Sequence, residues 1–173
     1  MNSQNEKLRV LQAVFAARSS NNEWKKRIGE YAASIWLNQK SWDHFPINAE
    51  IYDKPESLTI IGGKRPDFCA NINGEIIYLD AKFHACLEDE FYLEEFEIGQ
   101  YVKWRDWVVD ELNDNGERDV IFMVFPHKDK ATRFAFVHLD ELIYGQSFTT
   151  SDGKPARKVS LHDRDDLTFK VEQ

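Results

Sequence analysis

The sequence has few cysteines and no long hydrophobic run, and these two shortages exclude several classes of protein. Two cysteines in 173 residues, Cys69 and Cys86, are too few for a disulfide scaffold. Neither belongs to a CxxC pair or to a zinc-type spacing with histidine, so we expect reduced thiols in a cytoplasmic protein. No apolar stretch approaches the ~20 residues of a membrane-spanning helix, and the N-terminal residues lack the apolar centre of a signal peptide. We therefore expect no membrane partner.

Positive charge is scarce as well. The chain has 22 Lys and Arg against 30 Asp and Glu, which gives a net charge of −8. Proteins that bind nucleic acid usually present a basic surface, so this balance argues against a broad contact with phosphates. The charge is uneven, however, because residues 87–97, here called the acidic segment, hold six carboxylates. Basic residues cluster elsewhere, at 25–27, 64–65, 128–133 and 154–158. A nucleic-acid surface would therefore be local and assisted by metal.

The composition is that of a folded protein, with 42% hydrophobic and 13% aromatic residues and a length suited to one domain. Hydrophobic periodicity predicts the order of helices and strands. Helices are expected over residues 4–18, 23–39, 95–113 and 140–144. Strands are expected over 45–52, 120–125, 133–139 and 167–171, besides a hairpin at 64–83. Residues 53–57 are predicted as a loop and 146–173 as a polar tail. This order predicts an α/β fold with a mixed central sheet of about five strands flanked by helices.

The hairpin KRPDFCANINGEIIYLDAKF carries the most information. Its Asn73-Gly74 dipeptide favours a two-residue type I′ turn, which sets a register in which paired positions sum to 147. Asp67 then lies opposite Asp80, and Lys82 lies on the same face two residues along. The residues that alternate with them form the other face, which is wholly apolar and is therefore predicted to be buried.

Two opposed carboxylates are destabilising unless a cation lies between them. One interpretation is a solvated charged face on which Lys82 screens the two aspartates as an ordinary diagonal ion pair. The other is a site where Asp67 and Asp80 bind a metal ion and Lys82 acts beside it. Two aspartates, a metal and a lysine are the components of a site that hydrolyses phosphodiesters.

The sequence Pro66-Asp67, twelve residues, Asp80-Ala81-Lys82 resembles the motif of the PD-(D/E)xK nuclease superfamily, whose core is a hairpin flanked by helices. The stretches RPDF, YLDAKF and EIGQYVKWRDW resemble more closely the nuclease subunit of GTP-driven modification-dependent restriction systems and its uncharacterised relatives. The resemblance implies a restriction-endonuclease-like core. It also implies Mg²⁺, with Mn²⁺ as an alternative, held by Asp67, Asp80 and the Ala81 carbonyl.

Two helices are implied to add residues to this site. The resemblance places an acidic residue on the helix before the hairpin, and Glu30 fits it; a solvated helix glutamate is the alternative, with Glu50 as a weaker substitute. Glu30 would complete the shell of the first metal ion or bridge to a second one. The resemblance also places a glutamine and an aromatic residue on the following helix, and Gln100 and Trp104 have that spacing. Trp104 would stack on a base or sugar, or else pack in the protein or in an oligomer interface. Tyr101 belongs to the apolar stripe, and we assign it to the core. The predicted substrate-binding residues are Lys64, Arg65, Gln100 and Trp104.

These residues predict a metal-dependent endonuclease that acts on DNA, with Asp67, Asp80, Lys82 and Glu30 as the catalytic set. A ribonuclease effector and a non-catalytic module that binds nucleic acid or a protein partner are the alternatives, and a homodimer is compatible with each. The chain has no P-loop or helicase motif, so energy-driven translocation would need another subunit. The acidic segment departs from the family pattern, and we expect it to be a lid, an inhibitory flap or a partner surface.

Overall fold

The computed structural model describes residues 22–47, 53–82, 89–112, 118–124, 133–162, 164 and 167–168. The helix predicted over 4–18, Glu50 and Cys86 lie outside them. The elements are α1 (Asn22–Gln39), β1 (Asp43–Pro46), α2 (Glu56–Ile61), β2 (Phe68–Ile72), β3 (Glu75–Lys82), β4 (Glu90–Glu94), α3 (Glu95–Leu112), β5 (Asp119–Val124), β6 (Arg133–His138), α4 (Leu139–Ile143), β7 (Gln146–Thr149), β8 (Pro155–Ser160) and β9 (Leu167–Thr168).

Five of these strands form a mixed central sheet in the order β1-β2-β3-β5-β6, and the two-residue β9 extends it beside β6. The β3–β5 pair is parallel, and the other pairs are antiparallel. Helices cover the sheet, so the predicted α/β class and mixed sheet are confirmed. Among the described residues, no helix is both long and apolar enough to cross a membrane.

The hairpin between β2 and β3 has the predicted register. Asn73 and Gly74 both adopt positive φ, +55° and +94°, as a type I′ turn requires. The ladder runs from Ile72–Glu75 to Phe68–Leu79, and each pair sums to 147. The turn dipeptide and the alternation of apolar residues therefore determined this pairing correctly.

Alternation along the central strands produces two separate cores. On one face, the apolar stripe of α1, including the fully buried Trp36 and Leu37, packs on Phe68, Leu79 and their same-face neighbours. On the other face, α3, α4 and β4 pack on residues of the opposite parity, such as Tyr78 and Phe122. The second face of the hairpin is therefore enclosed, and the sequence interpretation of a solvated charged face is wrong.

A second sheet, of order β4-β8-β7, was not expected. Strand β4 lies inside the acidic segment, and β7 and β8 lie inside the predicted polar tail. Cations of the β8 region meet the acidic segment, because Lys158 pairs with Glu90 at 2.9 Å and Lys154 with Glu94 at 2.7 Å. Residues 90–97 therefore belong to a strand and a helix of the fold, which contradicts a separate lid or flap there.

Two boundaries also differ from expectation. Strand β1 begins at Asp43, two residues before the predicted start, and α2 begins inside the predicted 53–57 loop. Proline at position 55 immediately before the first helical residue, followed by an acidic Glu56, is compatible with a helix start. The other predicted elements agree with the structure within one or two residues; these are the helices over 23–39, 95–113 and 140–144 and the strands over 120–125 and 133–139.

Candidate active site

The three charged residues of the motif lie at one end of the hairpin. Asp67 immediately precedes β2. Asp80 and Lys82 are among the last three residues of β3, at the end far from the turn. They are 6%, 3% and 8% exposed, which is rare for charged groups that have no partner. The backbone N–H of Asp67 donates to Leu79 O at 3.0 Å, so the regular ladder ends just before the Asp67–Asp80 position. The site therefore occupies the point where the two strands stop pairing regularly.

Asp67 is held by β3, the strand that carries Asp80 and Lys82. Its Oδ2 accepts a hydrogen bond of 2.8 Å from the backbone N–H of Ala81. Burial raises the pKa of the Asp67 carboxyl well above its usual range, and the negative charges of Asp80 and Glu30 raise it further; the Ala81 N–H and the Lys82 charge oppose this only in part. Asp67 is thus close enough to Asp80 and to Glu30 to be repelled by both.

Lys82 is surrounded by acceptors on three sides. Its Nζ lies 2.9 Å from Asp80 Oδ1, 2.8 Å from Glu97 Oε1 and 2.9 Å from the Tyr101 hydroxyl. Burial acts to lower the pKa of Lys82, but the charges of Asp80 and Glu97 outweigh it, so that the pKa is raised above its usual value. The ammonium group is therefore a fixed cation with three defined contacts.

Tyr101 joins these groups from α3. Its hydroxyl donates to Asp80 Oδ2 at 2.6 Å while it accepts from Lys82, and the residue is fully buried. Burial raises the pKa of Tyr101 well above its usual value, and the charges of Asp80 and Glu97 raise it further, so the hydroxyl remains a donor. The assignment of Tyr101 to the core was thus incomplete: it is buried, but its hydroxyl is part of the charged cluster.

Glu97 is the second site residue that the sequence interpretation missed. Burial acts to raise its pKa, but the ammonium groups of Lys82 and Lys64 lower the pKa of Glu97 to about 2. Glu97 and Tyr101 are four residues apart on α3, and this i,i+4 pair of a carboxylate and a hydroxyl was the available signal. The acidic composition of residues 87–97 concealed it, because Glu97 was counted with the surface carboxylates.

The pair Gln100 and Trp104, predicted from the same helix, is arranged differently. Trp104 is only 5% exposed, and its ring packs edge-on against Tyr78 at 5.5 Å and stacks on Trp107 at 5.4 Å. The structure therefore places Trp104 in the core, which corrects its assignment to substrate stacking. Gln100 is partly exposed, and its backbone carbonyl oxygen accepts a hydrogen bond of 2.9 Å from the backbone N–H of Lys64.

The remaining predicted residues lie around the cluster. Glu30 is partly buried on α1, next to the fully buried Ala33, as its position in the helix predicted. Lys64 Nζ is 2.5 Å from Glu97 Oε1. Arg65 Nη1 donates to the Asp53 carbonyl oxygen at 3.1 Å, so it braces the segment before the hairpin.

The donor chemistry of the cluster suits a hard divalent cation, although the side chains do not form a preset cage. Within the described ranges, no three His, Cys, Asp or Glu side chains stand in an arrangement ready to hold a metal ion. Asp80 offers both oxygens to Lys82 and Tyr101, yet a carboxylate has about four lone-pair sites and retains capacity for a cation. Carboxylate and carbonyl oxygens are the ligands that Mg²⁺ prefers. The cluster contains the carboxylates of Glu30, Asp67, Asp80 and Glu97 and the ammonium groups of Lys64 and Lys82. When all are ionised, a negative charge of two remains, which a divalent cation would balance.

Compared with known proteins, the chain matches no protein-family model and no curated sequence. The resemblance to the PD-(D/E)xK nucleases therefore rests on the motif residues themselves.

Proposed function

We propose that this protein is a metal-dependent phosphodiesterase with a restriction-endonuclease-like core that cuts nucleic acid internally, with DNA as its substrate. One observation carries the proposal. Asp67, immediately before β2, accepts a hydrogen bond from the Ala81 N–H next to Asp80 on β3, and Lys82 lies in contact with Asp80 in the same buried cluster. Burying three charged side chains in a small domain costs several kcal/mol unless their interactions are favourable, so a purely structural role is a poor explanation for the set.

Asp67, Asp80 and Glu30 would hold the metal ion through carboxylate oxygens, and the Ala81 carbonyl would be a further ligand. When bound, Mg²⁺ would polarise the scissile phosphate and lower the pKa of a bound water. Every other function in the site falls to side chains of the chain itself. A bound cation would also offset the repulsion of Asp67 by Asp80 and Glu30, because each carboxylate would be attracted to the cation.

Lys82 would stabilise the charge that develops on the phosphate in the transition state. Its ammonium group is held by Asp80, Glu97 and Tyr101, so it needs little reorganisation when the substrate is bound. Tyr101 would act as a positioning residue, because its hydroxyl links the Asp80 carboxylate to the Lys82 ammonium. Such preorganisation is the main source of catalysis in phosphoryl transfer.

The proposal is tested by cleavage assays with matched DNA and RNA substrates, with Mg²⁺ or with a chelator. We expect Mg²⁺-dependent internal cuts in DNA and no cutting by Lys82→Ala or Asp67→Asn. Lys154→Ala is the matched control, because it removes a lysine from the turn between β7 and β8, where Lys154 pairs with Glu94 and with no member of the cluster. Asp67→Asn separates activity from folding, since an amide oxygen still accepts from the Ala81 N–H and the repulsion is relieved.

Each outcome assigns the function to one class. Cleavage of RNA alone would make the protein a ribonuclease of the same site geometry. Binding without cleavage of either substrate would indicate a non-catalytic module. Undiminished cleavage by Asp67→Asn and Lys82→Ala would show that the activity, if present, arises elsewhere.

A further inference from the structure

Two lysines of the candidate site share a single carboxylate oxygen. Lys64 Nζ lies 2.5 Å and Lys82 Nζ lies 2.8 Å from Glu97 Oε1. The two side chains differ in exposure, at 39% for Lys64 and 9% for Lys82. Both ammonium nitrogens lie 5.1 Å from the centre of the Tyr101 ring, but Lys82 alone of the two also contacts Asp80 and the Tyr101 hydroxyl. Lys64 is therefore the cation on the solvent side of the pair.

The backbone of Lys64 is fixed against α3 before any ligand binds. Its N–H donates to the Gln100 carbonyl oxygen at 2.9 Å. The preceding Gly63 lies close to both α2 and α3. An added Cβ there would overlap the Leu58 side chain of α2 and lie 3.4 Å from the backbone nitrogen of Trp104 in α3. The backbone that carries the Lys64 side chain is thus held in place, so it need not be ordered when an anion binds.

Building on the proposed nuclease activity, we propose that Glu97 occupies the place of a substrate phosphate on Lys64 in the free protein. When nucleic acid binds, Lys64 leaves Glu97 and pairs with a phosphate of the substrate. The shared oxygen brings the two ammonium nitrogens close together. A phosphate that reaches Lys82 therefore also comes within reach of Lys64, and its two non-bridging oxygens can accept from both.

The exchange is inexpensive because no buried charge loses its last partner. Glu97 keeps its contact of 2.8 Å with Lys82 after Lys64 departs. Breaking a buried ion pair is costly when it leaves an unpaired charge, and that condition does not arise here. Glu97 therefore competes with the substrate for Lys64 while it continues to position Lys82, and it sets how tightly a phosphate must bind in order to engage the site.

Steady-state cleavage of a DNA duplex with Mg²⁺ tests this exchange through KM. Lys64→Met should raise KM, and it should also weaken the salt dependence of KM. Loss of one phosphate contact reduces the slope of log KM against log salt concentration by about one. Between about 50 and 200 mM salt, the KM of the parent should therefore rise about threefold more than that of the variant. Lys154→Met is the matched control, because it removes the same charge from the ion pair with Glu94 on the second sheet.

Glu97→Gln tests the competition directly. It should lower KM severalfold, because the competitor loses its charge, and it should lower kcat, because Lys82 is held less firmly. In a Lys64→Met background the gain in KM should disappear, as a double-mutant cycle would record. Glu94→Gln is the control for a general loss of negative charge and should leave KM unchanged.

The results also separate this exchange from the nuclease activity itself. A parent that cleaves DNA, together with an unchanged KM and salt slope in Lys64→Met, would overturn the exchange alone. A gain from Glu97→Gln that persists without Lys64 would also overturn it, because the effect would then be general electrostatics. A parent that neither cleaves nor binds nucleic acid would overturn both proposals.

Discussion

At the scale of single residues, the site shows how a buried tyrosine can fix the positions of two buried charges of opposite sign. The Tyr101 ring packs edge-on against Phe122 at 5.0 Å, as a core residue does. Its hydroxyl meanwhile serves Asp80 as a donor and Lys82 as an acceptor. The ring fixes the position of the hydroxyl, and the hydroxyl in turn fixes the carboxylate and the ammonium group.

Removing only that hydroxyl tests its contribution. Tyr101→Phe should lower the free energy of unfolding by about 1–3 kcal/mol, because two buried charged groups each lose a hydrogen-bond partner. The ring would remain packed, so the protein should stay folded. Urea denaturation of the metal-free protein measures the change. Tyr144→Phe is the control, since Tyr144 is 85% exposed and should change stability by less than about 0.5 kcal/mol. Equal stability of Tyr101→Phe and the parent would refute the assigned contacts.

His138 and Asp119 give stability a dependence on pH. The His138 Nδ1 and the Asp119 Oδ2 lie 2.5 Å apart, and the hydrogen bond that the His138 ring donates to Asp119 raises the pKa of His138 above its usual value despite partial burial. A histidine whose pKa is raised by folding stabilises the folded state fully below its unfolded-state pKa of about 6.5. This stabilisation is lost as the pH rises through the folded-state pKa. Both side chains are more than a third exposed, so the effect should be at most about 0.5 kcal/mol.

Denaturation of the parent and of His138→Gln, at pH values on either side of this range, measures the effect. The stability difference between the two proteins should be largest in the acidic sample and should shrink in the alkaline one. A difference that grows as the pH rises would contradict the sign of the argument.

At the scale of elements, two glycines differ in how closely other backbone atoms approach them. Gly99 lies inside α3, where an added Cβ would meet open space. Gly145 lies between α4 and β7, where an added Cβ would come within 2.7 Å of Lys158 O and 3.1 Å of Glu141 O. The second glycine thus allows the connection to pack against β8.

Alanine at these two positions should act in opposite directions. Gly99→Ala should stabilise the protein by about 0.5–1 kcal/mol, because glycine is costly inside a helix. Gly145→Ala should destabilise it by about 1–3 kcal/mol, because backbone atoms of β8 and α4 would have to move. The two variants serve as controls for each other in one denaturation series. A neutral Gly145→Ala would mean that the connection does not lie against β8.

At the scale of the whole molecule, α1, the hairpin region and α3 supply a cluster in which acidic residues outnumber basic ones. The folded protein brings this cluster together, whereas in the unfolded chain Glu30, Asp67 and Asp80 are widely separated. A ligand that binds the folded state alone stabilises it in proportion to the logarithm of its concentration over Kd. A divalent metal should therefore stabilise the fold if the cluster is its site.

Thermal unfolding with Mg²⁺ and with a chelator measures this stabilisation. At about 100 times Kd the gain should be about 2.7 kcal/mol, which corresponds to roughly 5–10 °C in Tm for a chain of this size. Asp67→Asn should lose the gain while its metal-free form unfolds at or above the temperature of the parent, because repulsion from Asp80 and Glu30 is relieved. An equal Mg²⁺-dependent shift in both proteins would place the binding site elsewhere.

Local sequence determined the hairpin and the main helices. The Asn73-Gly74 turn and the period of two along each strand required one register, because a slip by a single residue would expose the whole apolar face. The same register placed Asp67 and Asp80 at adjacent strand ends and Lys82 beside Asp80. The helical period likewise identified α1, α3 and α4, since each must bury one apolar stripe.

Only the tertiary structure decided the second sheet and the lining of the site. Strands β4 and β8 are far apart in sequence, and no local signal links Glu90 to Lys158 or turns a charged segment into a strand. The rotation of α3 about its axis was also undetermined, because its aromatic residues occur on more than one side. Packing against the sheet turned Trp104 into the core and brought Glu97 and Tyr101 to Lys82. The periodicity of a helix specifies which residues share a face, whereas the surface packed against it determines which face is buried.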